Sequence, residues 1–133
     1  MTDGYGRTIE YIRISVTDRC NLRCVYCMPE EGVPAAAHED ILSDEEITEL
    51  AEVLAGLGIR KIRLTGGEPL VRKELPLLVK KLKAVPGIEK VTLTTNGLLL
   101  AENMEALAEA GIGGINLSLD TLDPEVFEKI TRR

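Results

Sequence analysis

The chain has 133 residues, 44% of them hydrophobic and 29% charged, which suits one folded domain and excludes a disordered chain. Its net charge of −6 argues against nucleic acid as a partner, because binding phosphates needs clustered Lys and Arg. We expect a cytoplasmic protein with no membrane partner, because no apolar run approaches the roughly 20 residues that span a bilayer and the first residues lack a secretory signal.

The hydrophobic pattern predicts strands and helices in alternation. Glu10–Val16 alternates apolar and polar residues as a strand does, and a cysteine-bearing loop follows it. Ser43-Asp44-Glu45-Glu46 is a capping box that predicts a helix to about Leu57. The remaining predicted elements are a strand at Lys61–Thr65, a helix at Leu75–Ala84, a strand at Lys90–Thr95, a helix at Glu102–Ala110, a strand at Ile115–Leu119 and a helix beginning at Pro124. Such alternation favours parallel strands joined by helical crossovers.

The two faces of the predicted sheet differ in polarity. One face is apolar and should pack under the helices: Ile12, Ile14, Val16, Ile62, Leu64, Val91, Leu93, Ile115, Leu117 and Leu119. The other face is polar: Arg13, Ser15, Lys61, Arg63, Thr65, Thr92, Thr94, Asn116, Ser118 and Asp120. A doubly wound sheet is apolar on both faces, so we expect helices on one side and a polar ligand on the other. The alternative is that the polar face meets only water because the sheet is incomplete.

All three cysteines, Cys20, Cys24 and Cys27, lie in one short loop with the spacing C-x3-C-x2-C. This grouping is unlike the disulfide framework of a small secreted domain. Three thiolates so close together can hold three corners of a cubane iron–sulfur cluster and leave one iron open for another ligand. The loop follows the carboxyl end of a predicted strand, where β/α enzymes place their chemistry.

Other interpretations of these cysteines stay open on spacing alone. A structural zinc site would use the three thiolates with His38, the single histidine of the chain. A thioredoxin-like pair would use Cys24 and Cys27 and leave Cys20 over. The third alternative is three buried thiols with no chemical role.

The motif C-x3-C-x-aromatic-C, with Tyr26 as the aromatic residue, resembles the signature of the radical-SAM superfamily. The segment Thr65-Gly66-Gly67-Glu68-Pro69 directly follows a predicted strand and is similar to the glycine-rich motif of that family. Further segments narrow the resemblance to the GTP 3′,8-cyclases that open molybdenum cofactor biosynthesis: Arg13–Asn21, Ile62–Leu70, Thr94–Gly97 and Asn116–Asp120. The similarity extends over nearly the whole chain.

The resemblance implies a fold and a cofactor. The fold is α/β, a parallel (β/α) partial barrel of radical-SAM type truncated to about four strands, with residues 1–133 as the N-terminal part of the core domain. Cys20, Cys24 and Cys27 would hold a [4Fe–4S] cluster whose open iron chelates S-adenosylmethionine, and one electron would release a 5′-deoxyadenosyl radical. The implied cofactor contacts are Tyr26, Gly66, Gly67, Glu68 and Ser118. Without the resemblance, an ordinary turn, a core aromatic residue and an exposed hydroxyl would explain most of these residues.

For the substrate, the resemblance implies GTP, held by Arg13, Arg63 and Thr94, with Lys61 as a further candidate. Cations suit a triphosphate, and Arg offers it a bidentate fork. The implied electron donor is a reduced protein of the flavodoxin or ferredoxin type. Another radical-SAM reaction, on a peptide or a cofactor, and a small zinc-binding module remain as alternative functions.

The family pattern continues beyond Arg133 into a six-strand partial barrel and a C-terminal region with a second iron–sulfur cluster. We therefore expect that this chain alone does not cyclise GTP. The fourth strand would be an edge at which a second copy could pair, so self-association is a further expectation.

Overall fold

Four parallel strands form one sheet in the order β1–β2–β3–β4 in a computed structural model that describes residues 2–34, 36–37 and 40–133. The strands are β1 (Tyr11–Ser15), β2 (Lys61–Thr65), β3 (Lys90–Thr95) and β4 (Ile115–Leu117). The helices are α1 (Asp44–Gly56), α2 (Leu75–Ala84), α3 (Leu100–Glu109) and α4 (Pro124–Thr131), with a 3₁₀ turn at Pro69–Val71. The predicted α/β class and the parallel alternation are therefore confirmed.

Two predicted boundaries are wrong by two residues. Helix α3 begins at Leu100 instead of Glu102, because Leu99 and Leu100 pack against the hydrophobic core and draw the start of the helix forward. Strand β4 ends at Leu117 instead of Leu119. Its partner strand β3 ends at Thr95, which pairs with Leu117, so Ser118 and Leu119 have no β3 residue to pair with.

The core lies between the apolar face of the sheet and helices α1, α2 and α3. The strands contribute the fully buried Ile62, Leu64, Val91 and Leu93. The helices contribute Ile47 and Ala51 from α1, Leu75, Leu78, Val79 and Leu82 from α2, and Leu107 from α3. Each large aliphatic side chain buried in this way contributes about 2 kcal/mol, so the helices are held on this one face of the sheet.

The predicted apolar face is correct for three strands and wrong at the end of the fourth. Leu117 and Leu119 are 55% and 45% exposed, whereas the apolar residues of β2 and β3 on the same face are buried. The fourth strand lies at the edge of the sheet, and the core that covers the inner strands does not extend to these two side chains.

Arg72 fixes the start of α1 against the end of β1. Its guanidinium donates to the carbonyl oxygens of Val16 at 2.7 Å and Leu42 at 2.9 Å, and it pairs with Asp44 Oδ1 at 2.7 Å. The contact holds the segment that leads from β1 into the cysteine loop.

Among the helices of the described residues, none has the length and apolar character that crossing a membrane requires.

Candidate functional site

The loop after β2 packs directly onto the segment that connects β1 to the cysteines. The amide of Gly67 donates to Thr17 O at 2.9 Å, and the amide of Glu68 donates to Arg19 O at 2.8 Å. A Cβ at Gly66 would collide with the Thr17 carbonyl, and one at Gly67 would collide with the Arg19 carbonyl. Gly66 also has φ +137°, which side chains disfavour. The two glycines thus let two loops of this chain approach each other.

Glu68 joins the ends of β2 and β3. Its side chain is 1% exposed, and Oε1 accepts from the Leu70 amide at 3.0 Å and the Thr95 hydroxyl at 2.7 Å. Oε2 accepts from the Asn96 amide at 2.7 Å. A buried carboxylate requires such partners, and here they hold the carboxyl ends of two adjacent strands in register.

The three cysteines lie in one loop beside these strand ends, and Cys24 and Cys27 belong to a tight turn at its end. The amides of Cys27 and Met28 both donate to Cys24 O, at 2.9 and 3.0 Å, and the Leu22 amide donates to Cys20 Sγ at 3.4 Å. Cys20 and Cys24 are half-buried and Cys27 is exposed, and all three are free thiols. Burial raises the pKa of the Cys24 thiol, and the charges of Cys20 and Cys27 act in the same direction.

The carboxyl end of α4 holds the same loop from the other side. The Arg23 amide donates to Thr131 O at 3.0 Å, and the Val25 amide donates to Ile130 O at 2.9 Å. These carbonyls belong to the last turn of the helix, where carbonyl oxygens have no hydrogen-bond partners within the helix itself. The loop therefore completes α4, and α4 in turn orders the loop.

Tyr26 links the loop to the segment that follows β4. Its hydroxyl donates to Asp120 Oδ2 at 2.7 Å, although the residue is 67% exposed. This hydrogen bond raises the pKa of the Tyr26 phenol above its usual value. The ring is therefore held near the end of β4, and Ser118, the residue directly after this strand, is also exposed.

The polar face of the sheet carries the residues predicted to bind the substrate. Arg63 lies over the ring of Tyr11, with 5.6 Å from its guanidinium carbon to the ring centre, and its Nε lies 3.4 Å from Thr92 Oγ1. Arg13 is paired in register with Arg63, and Arg13 is exposed, as is Lys61. The predicted polar face is therefore formed, with two guanidinium groups on adjacent strands.

Thr94 continues this face toward β4. Its hydroxyl is buried and has no hydrogen-bond partner among the described residues. A buried hydroxyl usually has a partner, so this one keeps its capacity for a ligand that reaches the polar face.

The donor set suits an iron–sulfur cluster, although its members do not yet converge. Three thiols in one short loop are the ligand type that such clusters use. Within residues 2–34, 36–37 and 40–133, no three Cys, His, Asp or Glu side chains are close enough together to hold a metal ion. The thiols would turn toward one another on binding. His38, the fourth ligand of the zinc alternative, lies outside the described residues.

The sequence alone assigns no role in this site to three polar side chains. Asp120, Asn21 and Asn96 all make hydrogen bonds that join the cysteine loop to strand ends. From the sequence, Asn21 and Asn96 are named only within motif segments, and Asp120 within one and as a residue of the polar face. Their positions within the motif segments were the one available signal.

Comparison with known proteins identifies relatives over the whole chain. The family model of the radical SAM superfamily matches residues 14–133. The chain is 60% identical over 132 residues to a protein of Peptoclostridium acidaminophilum named GTP 3′,8-cyclase, and 57% identical over 133 residues to one of Moorella thermoacetica with the same name. These matches cover 99% and 100% of this chain but only 41% of each relative, so the chain spans well under half of their length.

Solved structures show the same fold at lower identity. BtrN in complex with AdoMet and 2-DOIA matches with a TM-score of 0.64 and 22% identity, over 93% of this chain and 51% of that protein. HydG, a maturase of the [FeFe]-hydrogenase, matches with a TM-score of 0.73 and 20% identity, over 92% of this chain and 28% of that protein. At these identities the likeness concerns the fold alone.

Proposed function

The chain belongs to the radical SAM superfamily, and on that premise we propose that it forms the N-terminal part of a GTP 3′,8-cyclase. Such an enzyme converts GTP to (8S)-3′,8-cyclo-7,8-dihydroguanosine 5′-triphosphate in molybdenum cofactor biosynthesis. The observation that carries the proposal is 60% identity over 132 residues to a relative of that name. The polar face of this chain supplies suitable groups for GTP, and its cysteine loop supplies suitable groups for the cluster that binds S-adenosylmethionine.

Cys20, Cys24 and Cys27 would hold the cluster as thiolates. A [4Fe–4S] cluster bound there would supply the electron that splits S-adenosylmethionine. The chain contributes the shape of the site: α4 and the loop after β2 hold the cysteine turn between them. Burial raises the pKa of the Cys24 thiol, and binding of iron would release the proton of each thiol that becomes a ligand.

The cofactor would lie beside the loop after β2. Tyr26 and Ser118 lie on the side toward β4, where the Asp120 hydrogen bond orients the Tyr26 ring. Gly66 and Gly67 would offer main-chain groups to the methionyl end. Glu68 would contact the same end of the cofactor, and the hydrogen bonds that its two oxygens accept would hold it in place.

GTP would lie on the polar face. Arg13 and Arg63 face a triphosphate with two adjacent guanidinium groups, and each can form a bidentate contact with phosphate oxygens. Thr94 would donate or accept through its unpaired hydroxyl, and the exposed Lys61 adds a further positive charge at the start of β2.

A reduced protein of the flavodoxin or ferredoxin type would deliver the electron to the cluster. We also propose a cytoplasmic location.

Anaerobic reconstitution with iron and sulfide tests the proposal. We expect about four iron and four sulfide per chain and a brown colour, as in other Cys-ligated cubane clusters. Replacing Cys24 by Ala should abolish uptake, because two thiolates cannot hold the cluster. Val25→Ala is the matched control, since it changes an exposed side chain of the same loop and should bind normally.

Three results would contradict the proposal. A colourless protein that takes up zinc but no inorganic sulfide would favour a structural zinc module. An unchanged iron content in Cys24→Ala would show that the three-cysteine cluster is wrong. A brown protein whose full-length relative acts on a substrate other than GTP would favour another radical-SAM reaction.

A further inference from the structure

Two asparagine amides join the cysteine loop to the end of β3, and the proposed function gives neither a role. Asn96 Nδ2 lies 2.7 Å from Asn21 Oδ1, and the two residues are 75 positions apart in the chain. Both side chains are half-buried. Since Asn21 is the residue directly after Cys20, this hydrogen bond meets the loop where its first thiol stands.

The orientation of the two amides follows from their neighbours. The Leu98 amide donates to Asn96 Oδ1 at 3.1 Å, so this oxygen faces the turn and Nδ2 faces away from it. Asn96 Nδ2 must therefore donate, and Asn21 must present its oxygen. The hydrogen bond has one consistent assignment.

Asn96 is itself rigidly held. Its main-chain amide donates to the buried Glu68 carboxylate at 2.7 Å, and its side-chain oxygen accepts from Leu98. Two hydrogen bonds, one through the main-chain amide and one through Oδ1, thus fix Asn96, and its Nδ2 makes the third, to Asn21. The bond to Asn21 transmits that fixed position to the loop.

On the other side, Asn21 stands at the beginning of the cysteine turn. The residue before Cys20, Arg19, accepts through its carbonyl from the Glu68 amide at 2.8 Å. The Leu22 amide donates to Cys20 Sγ at 3.4 Å. The stretch Arg19–Leu22 is therefore attached to β2 through the main chain and to β3 through one side chain.

We propose that Asn96 is a positioning residue that fixes Cys20 through its hydrogen bond to Asn21. The attachment itself requires no metal, while its consequence for a cluster rests on the proposed function. Residues surrounding metal ligands commonly change metal retention when they are removed. Without this bond the first thiol moves more freely and the cluster is retained less well.

Hydrogen exchange of the metal-free full chain tests the attachment directly. In Asn21→Ala and Asn96→Ala we expect the Leu22 and Arg23 amides to exchange about fivefold faster, which corresponds to the loss of one hydrogen bond. The double variant should exchange no faster than Asn96→Ala alone, because both changes break the same bond. Asn21→Asp keeps an acceptor for Asn96 Nδ2 and should exchange like the original chain.

Asn103→Ala is the matched control. Its side-chain amide also donates to a single carbonyl, Leu99 O at 2.8 Å, but on α3 and away from the cysteine loop. It should leave exchange at Leu22 and Arg23 unchanged. Unchanged exchange in both single variants, or multiplied effects in the double variant, would overturn the attachment.

The second arm measures anaerobic iron release to a chelator from the reconstituted chain. Asn21→Ala and Asn96→Ala should release iron about tenfold faster than the original chain and Asn103→Ala. Equal release rates alongside faster exchange would overturn the positioning role. Failure of the original chain to take up iron and sulfide would refute the proposed function, while the exchange results would still decide the attachment.

Discussion

The buried carboxylate of Glu68 holds three separate parts of the chain together. It accepts from Leu70 within its own loop and from Thr95 and Asn96 at the end of β3. Its main-chain amide reaches Arg19, next to the first cysteine. The glycines before it make this contact sterically feasible, so the glycine-rich motif has a packing role in this chain besides its proposed cofactor role.

Gly67→Ala should therefore destabilise the fold. The new methyl group would collide with the Arg19 carbonyl, and overpacking of this kind costs about 1–3 kcal/mol. Gly56→Ala is the control: it lies at the end of α1, no atom beyond its chain neighbours and its own helix backbone lies within 4 Å of the added Cβ, and Ala is the better helix former. Urea unfolding should show a loss for the first variant and no loss for the second; equal stabilities would refute the packing role.

At the scale of elements, α4 and the cysteine loop stabilise each other. Helix α4 has eight residues, and isolated helices of that length are not stable in water. Its amino end is capped by Asp123, which accepts from the amides of Glu125 and Val126, and its carboxyl end by the loop amides. Weakening the cap at the amino end of α4 should therefore also weaken the hydrogen bonds between its carboxyl end and the cysteine loop.

Asp123→Ala tests this coupling. Loss of the cap costs about 1 kcal/mol, so hydrogen exchange at the Arg23 and Val25 amides should accelerate about fivefold. Ser43→Ala removes the equivalent cap of α1, whose carboxyl end does not meet the cysteine loop, and should leave these amides unchanged. If both variants accelerate exchange equally, global opening rather than α4 controls the loop.

At the scale of the whole molecule, one face of the sheet forms the hydrophobic core and the other face is polar. Helices α1–α3 and the apolar side chains form the core, and the opposite face carries Arg13, Arg63 and Thr94, the proposed GTP contacts. The chain spans 41% of the length of the GTP 3′,8-cyclase of Peptoclostridium acidaminophilum that it matches.

We expect the reconstituted chain by itself to form no cyclic product from GTP. Four strands leave the polar face open to water, and radical chemistry requires a site from which water is excluded. Anaerobic incubation with GTP, S-adenosylmethionine and dithionite, followed by product analysis, measures this. The full-length relative serves as the positive control, and clear product from the chain alone would contradict the expectation.

The edge at β4 provides a prediction about association. Leu117 is 55% exposed on this edge strand, where a second copy could add its own strand. Leu117→Lys should shift sedimentation at high concentration toward the monomer, and Leu77→Lys on α2, where the leucine is 45% exposed, should not. Identical concentration dependence in all three chains would exclude association through this edge.

The sequence by itself determined the alternation of elements, the polar and apolar faces and the grouping of the cysteines. These features are local: period-two patterns, the capping box at Ser43 and residue spacing all act between near neighbours in the chain. The family resemblance rests on the same kind of information, since its motifs are short and contiguous.

Only the tertiary structure decided which distant groups meet. The hydrogen bonds of Asn96 to Asn21, of Tyr26 to Asp120 and of the loop amides to α4 each join segments about 75 or more positions apart. No local pattern encodes such pairs, because strand order and helix docking bring them together. The exposure of Leu117 and Leu119 has the same origin, since burial depends on what covers a strand and the alternating pattern describes only the strand itself.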